Sequence, residues 1–212
     1  MNDHATISDL SGAHIGACAR IIAGAFFDKE PFTWLLPDRE QRTRVFPAFA
    51  ESMFRYAHPP GAGTQVALKA GEVLGCAAWE APGRGRHGVL RDLAASFFML
   101  RRIRLGDLQS FGKKGAELQK AMAAARPAAP HWYLAALAVA PEAQGQGIGT
   151  ALLRAGLARC DTAGAAAYLE CLEQLVPYYQ RFGFARAHWV ELPEGTPRQA
   201  GMWRPAQRGR HP

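Results

Sequence analysis

Three glycines at every second position, Gly145, Gly147 and Gly149, separate an apolar run from a helical one. The apolar run, His131 to Val139, is aromatic and aliphatic, and Pro141 closes it because proline cannot donate to a strand ladder. The helical run opens at Thr150-Ala-Leu-Leu. Backbone without side chains at a helix start leaves amide N–H groups pointing outward, and the helix dipole adds partial positive charge there. Such a helix start holds a phosphate. The spacing then narrows the choice of phosphate. No lysine follows Gly149, so the mononucleotide pattern G-x-x-x-x-G-K-[ST] is not met. The dinucleotide pattern G-x-G-x-x-G is missed by one place, because Gly149 comes one residue early. What remains is Gln144-Gly145-Gln146-Gly147-Ile148-Gly149, a Q-x-x-G-x-G loop.

About thirty residues on, a strand reading at Tyr168 to Glu173 leads into Pro177-Tyr178-Tyr179-Gln-Arg-Phe-Gly183-Phe184. The Q-x-x-G-x-G loop resembles the acyl-CoA loop of the GCN5-related N-acetyltransferases. Tyr179, three residues and then Gly-Phe are similar to that family's second signature. The two together are much harder to reach by chance than either alone. The likeness runs over about Ile7 to Trp203. His131-Trp-Tyr-Leu, Val139-Ala-Pro, Leu169-Glu170 and Leu192-Pro-Glu-Gly195 add a closer resemblance of the C-terminal half to puromycin N-acetyltransferase-like bacterial enzymes. The N-terminal half matches in outline only.

The resemblance implies direct transfer of an acetyl group from acetyl-CoA to a primary amine. It implies that Leu137 and Val139 pair with the pantetheine arm and that the edge from Leu137 through Ala138 to Val139 binds the cofactor and polarises the thioester carbonyl, as oxyanion donors do. The amides of Gln144, Gly145, Gln146, Gly147, Ile148, Gly149 and Thr150 would hold the pyrophosphate. Tyr179 would act as general acid toward the departing thiolate; phenol and thiolate are comparably basic, so that proton transfer is nearly balanced. An amine is mostly protonated at neutral pH, so a base or a water chain is wanted, and Glu170 is the first candidate. Glu30 and Glu80 are weaker ones, His131 could relay protons, and Tyr178 is the alternative acid if the register differs.

The acceptor is less legible. Aromatic-rich segments at Phe26 to Trp34 and Phe46 to Phe54 suggest a small amine with an apolar or aromatic body, and Glu30, Phe32, Trp34 and Phe54 are expected to line its pocket. A protein N-terminus or lysine is the alternative acceptor; a basic stretch from Arg84 to Lys114 argues mildly against a basic peptide. A non-catalytic acyl-CoA-binding module is the alternative of another class, and an intact Tyr179 speaks against it. A nucleotide-binding protein lacks its phosphate-loop lysine.

The surrounding elements follow from hydrophobic period. Thr6 to Leu10 is a weak first strand. Ser11 caps a helix to Phe27 whose stripe is Ile15, Cys18, Ala19, Ile22, Ala25 and Phe26. Asp38 caps a second helix from Arg39 to about Tyr56, with Phe46, Phe49, Ala50, Met53 and Phe54 inward and Pro47 inside, where a kink or a late start is expected. Thr64 to Lys69 and Glu72 to Glu80 read as a hairpin about Ala70-Gly71. Two helices, Leu90 to Ile103 and Leu105 to Ala125, fall in an insertion of about residues 82–128 between the third and fourth strands. After the phosphate helix come a strand at Tyr168 to Cys171, a short helix at Val176 to Phe182, and strands at Phe184 to Leu192 and Gln199 to Trp203. The pattern predicts an α/β fold, a mixed central sheet splayed at an acyl-CoA cleft and flanked by helices. Residues 1–205 form one domain and 206–212 a basic tail.

Composition bounds the rest. The 212 residues are 49% hydrophobic, enough for a substantial core. Four scattered cysteines form no metal-ligand spacing and no disulfide framework, so no metal is expected. The N-terminus lacks the charged and apolar regions of a signal peptide, and no apolar run reaches membrane-spanning length. A cytoplasmic location is expected. Net charge is +7 with a pI near 9.6, which suits an anionic co-substrate; basic residues are not interleaved with stacking aromatics on a nucleic-acid-binding motif. The chain is expected to be a monomer or a homodimer.

Overall fold

The computed structural model describes residues 5–83 and 89–207. The Arg84–Gly88 part of the basic stretch and residues 208–212 of the tail lie outside them. The described residues form a seven-stranded sheet in the order β1-β2-β3-β4-β5-β7-β6. The strands are β1 (Thr6–Asp9), β2 (Gln65–Lys69), β3 (Glu72–Glu80), β4 (His131–Val139), β5 (Ala166–Leu172), β6 (Ala185–Val190) and β7 (Gln199–Arg204). The helices are α1 (Ile15–Phe26), α2 (Phe32–Leu35), α3 (Arg39–Ser52), α4 (Val89–Leu100), α5 (Leu105–Ala125), α6 (Ile148–Thr162) and α7 (Val176–Gln180). α4 and α5 are the expected helical insertion between β3 and β4.

Local chemistry explains the boundaries. Ala70 and Gly71 both hold positive φ, 51° and 84°, the two-residue turn whose twist matches a right-handed hairpin. The Asp38 carboxylate accepts from the Gln41 amide at 2.6 Å and starts α3. Pro47 lies inside α3, which continues past it to Ser52 and widens into a π turn over Met53–Ala57. Of the expected α3 stripe, Phe46, Ala50 and Phe54 are fully buried, while Phe49 and Met53 are half-buried.

Adjacent residues of a strand point to opposite faces, so β3 locates the flanking layers. A Cβ at Gly75 would meet Ile148 and Leu152 of α6, whereas the thiol of the next residue, Cys76, meets Cys18 of α1. α6 therefore covers one face and α1, packed on α3, the other. Pairing of β3 with β4 shifts register between Ala78 and Trp79: Ala78 faces Ala136 but Trp79 faces Leu134. β4 carries the extra residue, a bulge. It reverses the side-chain alternation of β4, so that Tyr133 stands beside Glu80 on the α1 face and not on the α6 face.

β4 and β5 are the parallel pair. They are in register only at His131 with Ala166, Trp132 with Ala167 and Tyr133 with Tyr168. Beyond Tyr133 the two strands part, while β5 stays paired with β7 on its other edge from Ala167 to Leu172. The sheet is open on that side of β4 from Leu134 onward, as the splayed sheet read from the sequence requires.

Candidate active site

The glycine loop ends at Gly147, which caps α6 with φ 81°, a left-handed conformation that costs a residue with a Cβ. Ala151 donates to the Gly147 carbonyl at 2.9 Å. The amides of Ile148, Gly149 and Thr150 before it are first-turn donors with no acceptor inside the helix. Gly145 also has positive φ, 76°. Both glutamine side chains fold the loop back on itself. Gln144 Nε2 donates to the Val139 carbonyl at 3.3 Å and Gln146 Nε2 to the Glu142 carbonyl at 2.8 Å. Gly145, Gln146 and Gly147 are exposed, so the loop presents backbone outward.

The strand edge beside the loop splits the residues expected there. Ala140 donates to the Leu74 carbonyl at 2.8 Å. Alternate residues of a strand turn their N–H and C=O to the same neighbour, so Ala138 also turns toward β3. Leu137 and Val139 turn the other way, into the gap that β5 has left. The peptide groups of Ala138 belong to the β3 ladder, and Leu137 and Val139, the pair expected to meet the pantetheine arm, turn to the open edge.

Tyr179 and Glu170 come from neighbouring elements but opposite faces. Tyr179 on α7 is buried, 8% exposed, with Phe184 edge-on at 6.0 Å between ring centres. Burial raises its pKa above the ordinary phenol range, and the nearby Cys171 and Tyr178 add to that. Tyr178 is half-buried and points to the start of α6, where its hydroxyl lies 3.7 Å from the position of a Cβ on Gly149. It stacks loosely on Phe182 and under Arg181. Tyr178, named as the alternative acid, thus turns its hydroxyl toward the first turn of α6.

Glu170 lies on the α1 face with Tyr168 and Tyr133. Both carboxylate oxygens are buried and make no hydrogen bond of ordinary geometry. Burial raises its pKa above the usual carboxylate value, while the Tyr133 and Tyr168 hydroxyls and the Arg126 guanidinium pull the other way without offsetting it. Tyr133 is lifted well above 10, first by burial and then by the Glu170 charge. Arg126 closes the group: its guanidinium carbon lies 3.6 Å from the Tyr133 ring centre and its Nη1 3.5 Å from Glu80 Oε2. His58 Nε2 is 3.8 Å from the other Glu80 oxygen. His131, at the head of β4, stands edge-on to Tyr168 and Trp203, with Nδ1 2.7 Å from the Ala129 carbonyl oxygen. Arg126, the residue after the expected helix end at Ala125, escaped the sequence reading. The signal available there was an arginine beside Pro127 at the close of the insertion.

The expected pocket residues do not gather at Glu170. The Glu30 carboxylate accepts from the Trp34 amide at 3.3 Å. Phe32 sits in an aromatic cluster, 4.5 Å between ring centres from Phe46 and 5.7 Å from Phe26. Phe54 is fully buried in the main core, which corrects the expectation of a pocket wall. Trp34 donates its indole N–H to the Glu194 carbonyl at 3.3 Å, beside Gly195, and Lys114 lies 5.0 Å over its ring. Two segments singled out separately, the Trp34 loop and the Pro193-Glu-Gly195 turn, are one contact.

A family model described as acetyltransferase (GNAT) family matches residues 113–184, which span the glycine loop, Glu170 and Tyr179. Among solved structures, a histone acetyltransferase HPA2 and related acetyltransferase from Corynebacterium glutamicum is 23% identical with a TM-score of 0.70, covering 98% of this chain and 99% of its own. An N-acetyltransferase from Staphylococcus aureus is 17% identical with a TM-score of 0.64, covering 93% and 99%. The ribosomal-protein-S18-alanine N-acetyltransferase of Escherichia coli is 16% identical with a TM-score of 0.56, covering 98% of each chain. At these identities the likeness concerns the fold. The closer likeness to puromycin N-acetyltransferases rests on the sequence motifs alone. No helix among the described residues is long and apolar enough to cross a membrane.

Proposed function

We propose that this chain, whose residues 113–184 match the acetyltransferase (GNAT) family, transfers an acetyl group from acetyl-CoA to the primary amine of a small molecule with an apolar or aromatic body. The observation that carries this reading is the enclosure of Glu170. Its carboxylate is buried among Tyr133, Tyr168 and Arg126, and the end of α5 lies over this face, with the Tyr168 hydroxyl 3.4 Å from the Ala125 carbonyl. A compact amine is served by such a site better than an extended peptide, which needs an open groove.

In this reading the first-turn amides of α6 and the exposed loop from Gln144 to Gly147 hold the pyrophosphate. Leu137 and Val139 pair with the pantetheine arm across the gap and direct an amide at the thioester carbonyl. Glu170 takes a proton from the amine on the α1 face. The neutral amine nitrogen then bonds to the carbonyl carbon and sheds its surplus proton to solvent, the carbon–sulfur bond breaks, and Tyr179 gives its phenolic proton to the sulfur from the α6 face and recovers one from solvent. The reacting carbon sits in the splay between the two faces. A raised pKa keeps Tyr179 protonated at working pH and lets Glu170 act as a base closer to neutrality.

The test is thiol release from acetyl-CoA against small aromatic and aliphatic amines and basic peptides. Turnover with a small amine and none with peptides is the expected result. Turnover confined to peptides would replace the acceptor with a protein amine. CoA binding without release for any acceptor would favour a non-catalytic module.

A further inference from the structure

Glu80 and Glu170 flank the same tyrosine. Glu80 is the antiparallel partner of Tyr133 on β3, and Glu170 stands two residues beyond Tyr168, the parallel partner of Tyr133 on β5. Both carboxylates lie on the α1 face, and the Glu80 side chain is 16% exposed. Two carboxylates in so dry a place oppose each other's ionisation. A base needs its charge, so something must deal with the second carboxylate.

Arg126 is placed to do so. It is the residue after the last turn of α5, held extended (φ −66°, ψ 133°) before Pro127. Its Nη1 is 3.5 Å from Glu80 and its guanidinium lies flat enough over Tyr133 for a 3.6 Å approach to the ring centre. Its Nε is buried without a hydrogen-bond partner, and its charge reaches Glu170 as well as Glu80. The other groups facing Glu170 are Tyr133 on β4 and Tyr168 on its own strand; the next residue, Cys171, lies on the opposite face. Behind them stand His131 on β4, edge-on to Tyr168, and His188 on β6, whose Nε2 is 3.4 Å from the Tyr168 hydroxyl. His58 stands behind Glu80. Phenols are neutral near pH 7, and Arg126 is a permanent cation among these groups.

We propose that Arg126, delivered by the end of the helical insertion, is a positioning residue that engages the Glu80 carboxylate and so leaves Glu170 as the ionised base of the site. The inference rests on the reading of Glu170 as the base. It gives the insertion a part in the chemistry through its final residue, without any contact between Arg126 and the reacting atoms.

The test reads the ionisation of Glu170 directly, with no acceptor needed. Protein labelled with carbon-13 at the glutamate side-chain carboxyl is titrated by NMR, and Glu170→Gln assigns the resonance by its loss. Arg126→Gln should move the Glu170 midpoint upward by about one pH unit or more. Arg126→Lys should restore most of the shift, and Glu80→Gln placed on Arg126→Gln should bring the midpoint back down. An unmoved midpoint in Arg126→Gln, or a shift that Glu80→Gln leaves in place, overturns the inference. Thermal melts of each variant confirm that folded protein is being titrated; if Arg126→Gln does not fold, Arg126→Lys and Glu80→Gln alone carry the comparison, the latter lowering the midpoint if the two carboxylates are coupled. Thiol release by Glu170→Gln is measured alongside. Full activity there sinks the base reading, whereas lost activity with an unmoved midpoint in Arg126→Gln sinks the positioning role alone.

Discussion

Tyr179 and Glu170 lie on opposite faces of β5: the tyrosine ring packs on the side of Cys171, and the carboxylate one residue earlier points to the side of Tyr133. An acid and a base so divided can serve one reaction only if the reacting carbon lies between the faces. The parting of β4 from β5 after Tyr133 provides that opening.

The division makes the two tyrosines of α7 separable. Tyr179→Phe should lower kcat by about a hundredfold or more, the usual worth of a positioned general acid, with little change in acetyl-CoA affinity. Tyr178→Phe should act on the other quantity, weakening acetyl-CoA binding modestly, because its hydroxyl stands at the first turn of α6. Steady-state kinetics on the two variants, with whichever amine turns over, decides the matter. Reversed effects would transfer the acid role to Tyr178.

Activity should fall as pH drops through a value above the ordinary carboxylate range. In the proposed mechanism Glu170 works deprotonated, and burial raises its pKa, so its contribution to kcat/KM is lost on the acid side earlier than a solvated glutamate's would be. The same shift has a stability consequence of known sign. The folded chain binds this proton more tightly than the unfolded chain, so stability declines as pH rises from the unfolded pKa through the folded one. Glu170→Gln should therefore be inactive yet melt at least as high as wild type above that window. A lower melting temperature at pH 8 would contradict the account of a costly buried charge.

Gly156 tests the packing behind the cradle. A Cβ there would come within 2.2 Å of Trp79 Nε1 and 2.6 Å of Cζ2, and Trp79 is 1% exposed. Gly156→Ala should destabilise by about 1–3 kcal/mol, the cost of overpacking a rigid core. Gly147→Ala meets no atom within 4 Å but must keep φ near 81°, so it should cost about 1–2 kcal/mol through backbone strain and weaken acetyl-CoA binding. Denaturant melts and acetyl-CoA titration separate the two.

Arg204 ties the end of the sheet to the helices of the site. Its guanidinium bonds both oxygens of Asp161 at the end of α6, at 2.6 and 2.9 Å, and donates from Nε to the Phe182 carbonyl behind α7. The Arg204 side chain is 9% exposed and Asp161 36%. Arg204→Met should cost about 1–3 kcal/mol, less than a fully buried pair, because Asp161 still reaches water. A melting temperature equal to wild type would show the pair to be ornamental.

What the sequence alone determined here is local. Glycine at 145 and 147 sets positive φ, Ala70-Gly71 makes a two-residue turn, Asp38 caps a helix, and period marks each strand and helix within a few residues. These depend on neighbours along the chain. That is why the cradle, the order of elements and the placement of the insertion were legible. The arrangement around Glu170 was not. A single extra residue in β4 turns Tyr133 to the side of Glu80, and no composition signal marks a bulge in a run of alanine and leucine. Arg126 reaches Glu80 across 46 positions of sequence by way of two helices, and Trp34 meets Glu194 across 160. Such contacts are fixed by sheet register and by how the helices lie on the sheet, and register is a property of the whole fold. The sequence carried the family likeness and the motifs; the tertiary structure decided which face each of those residues occupies.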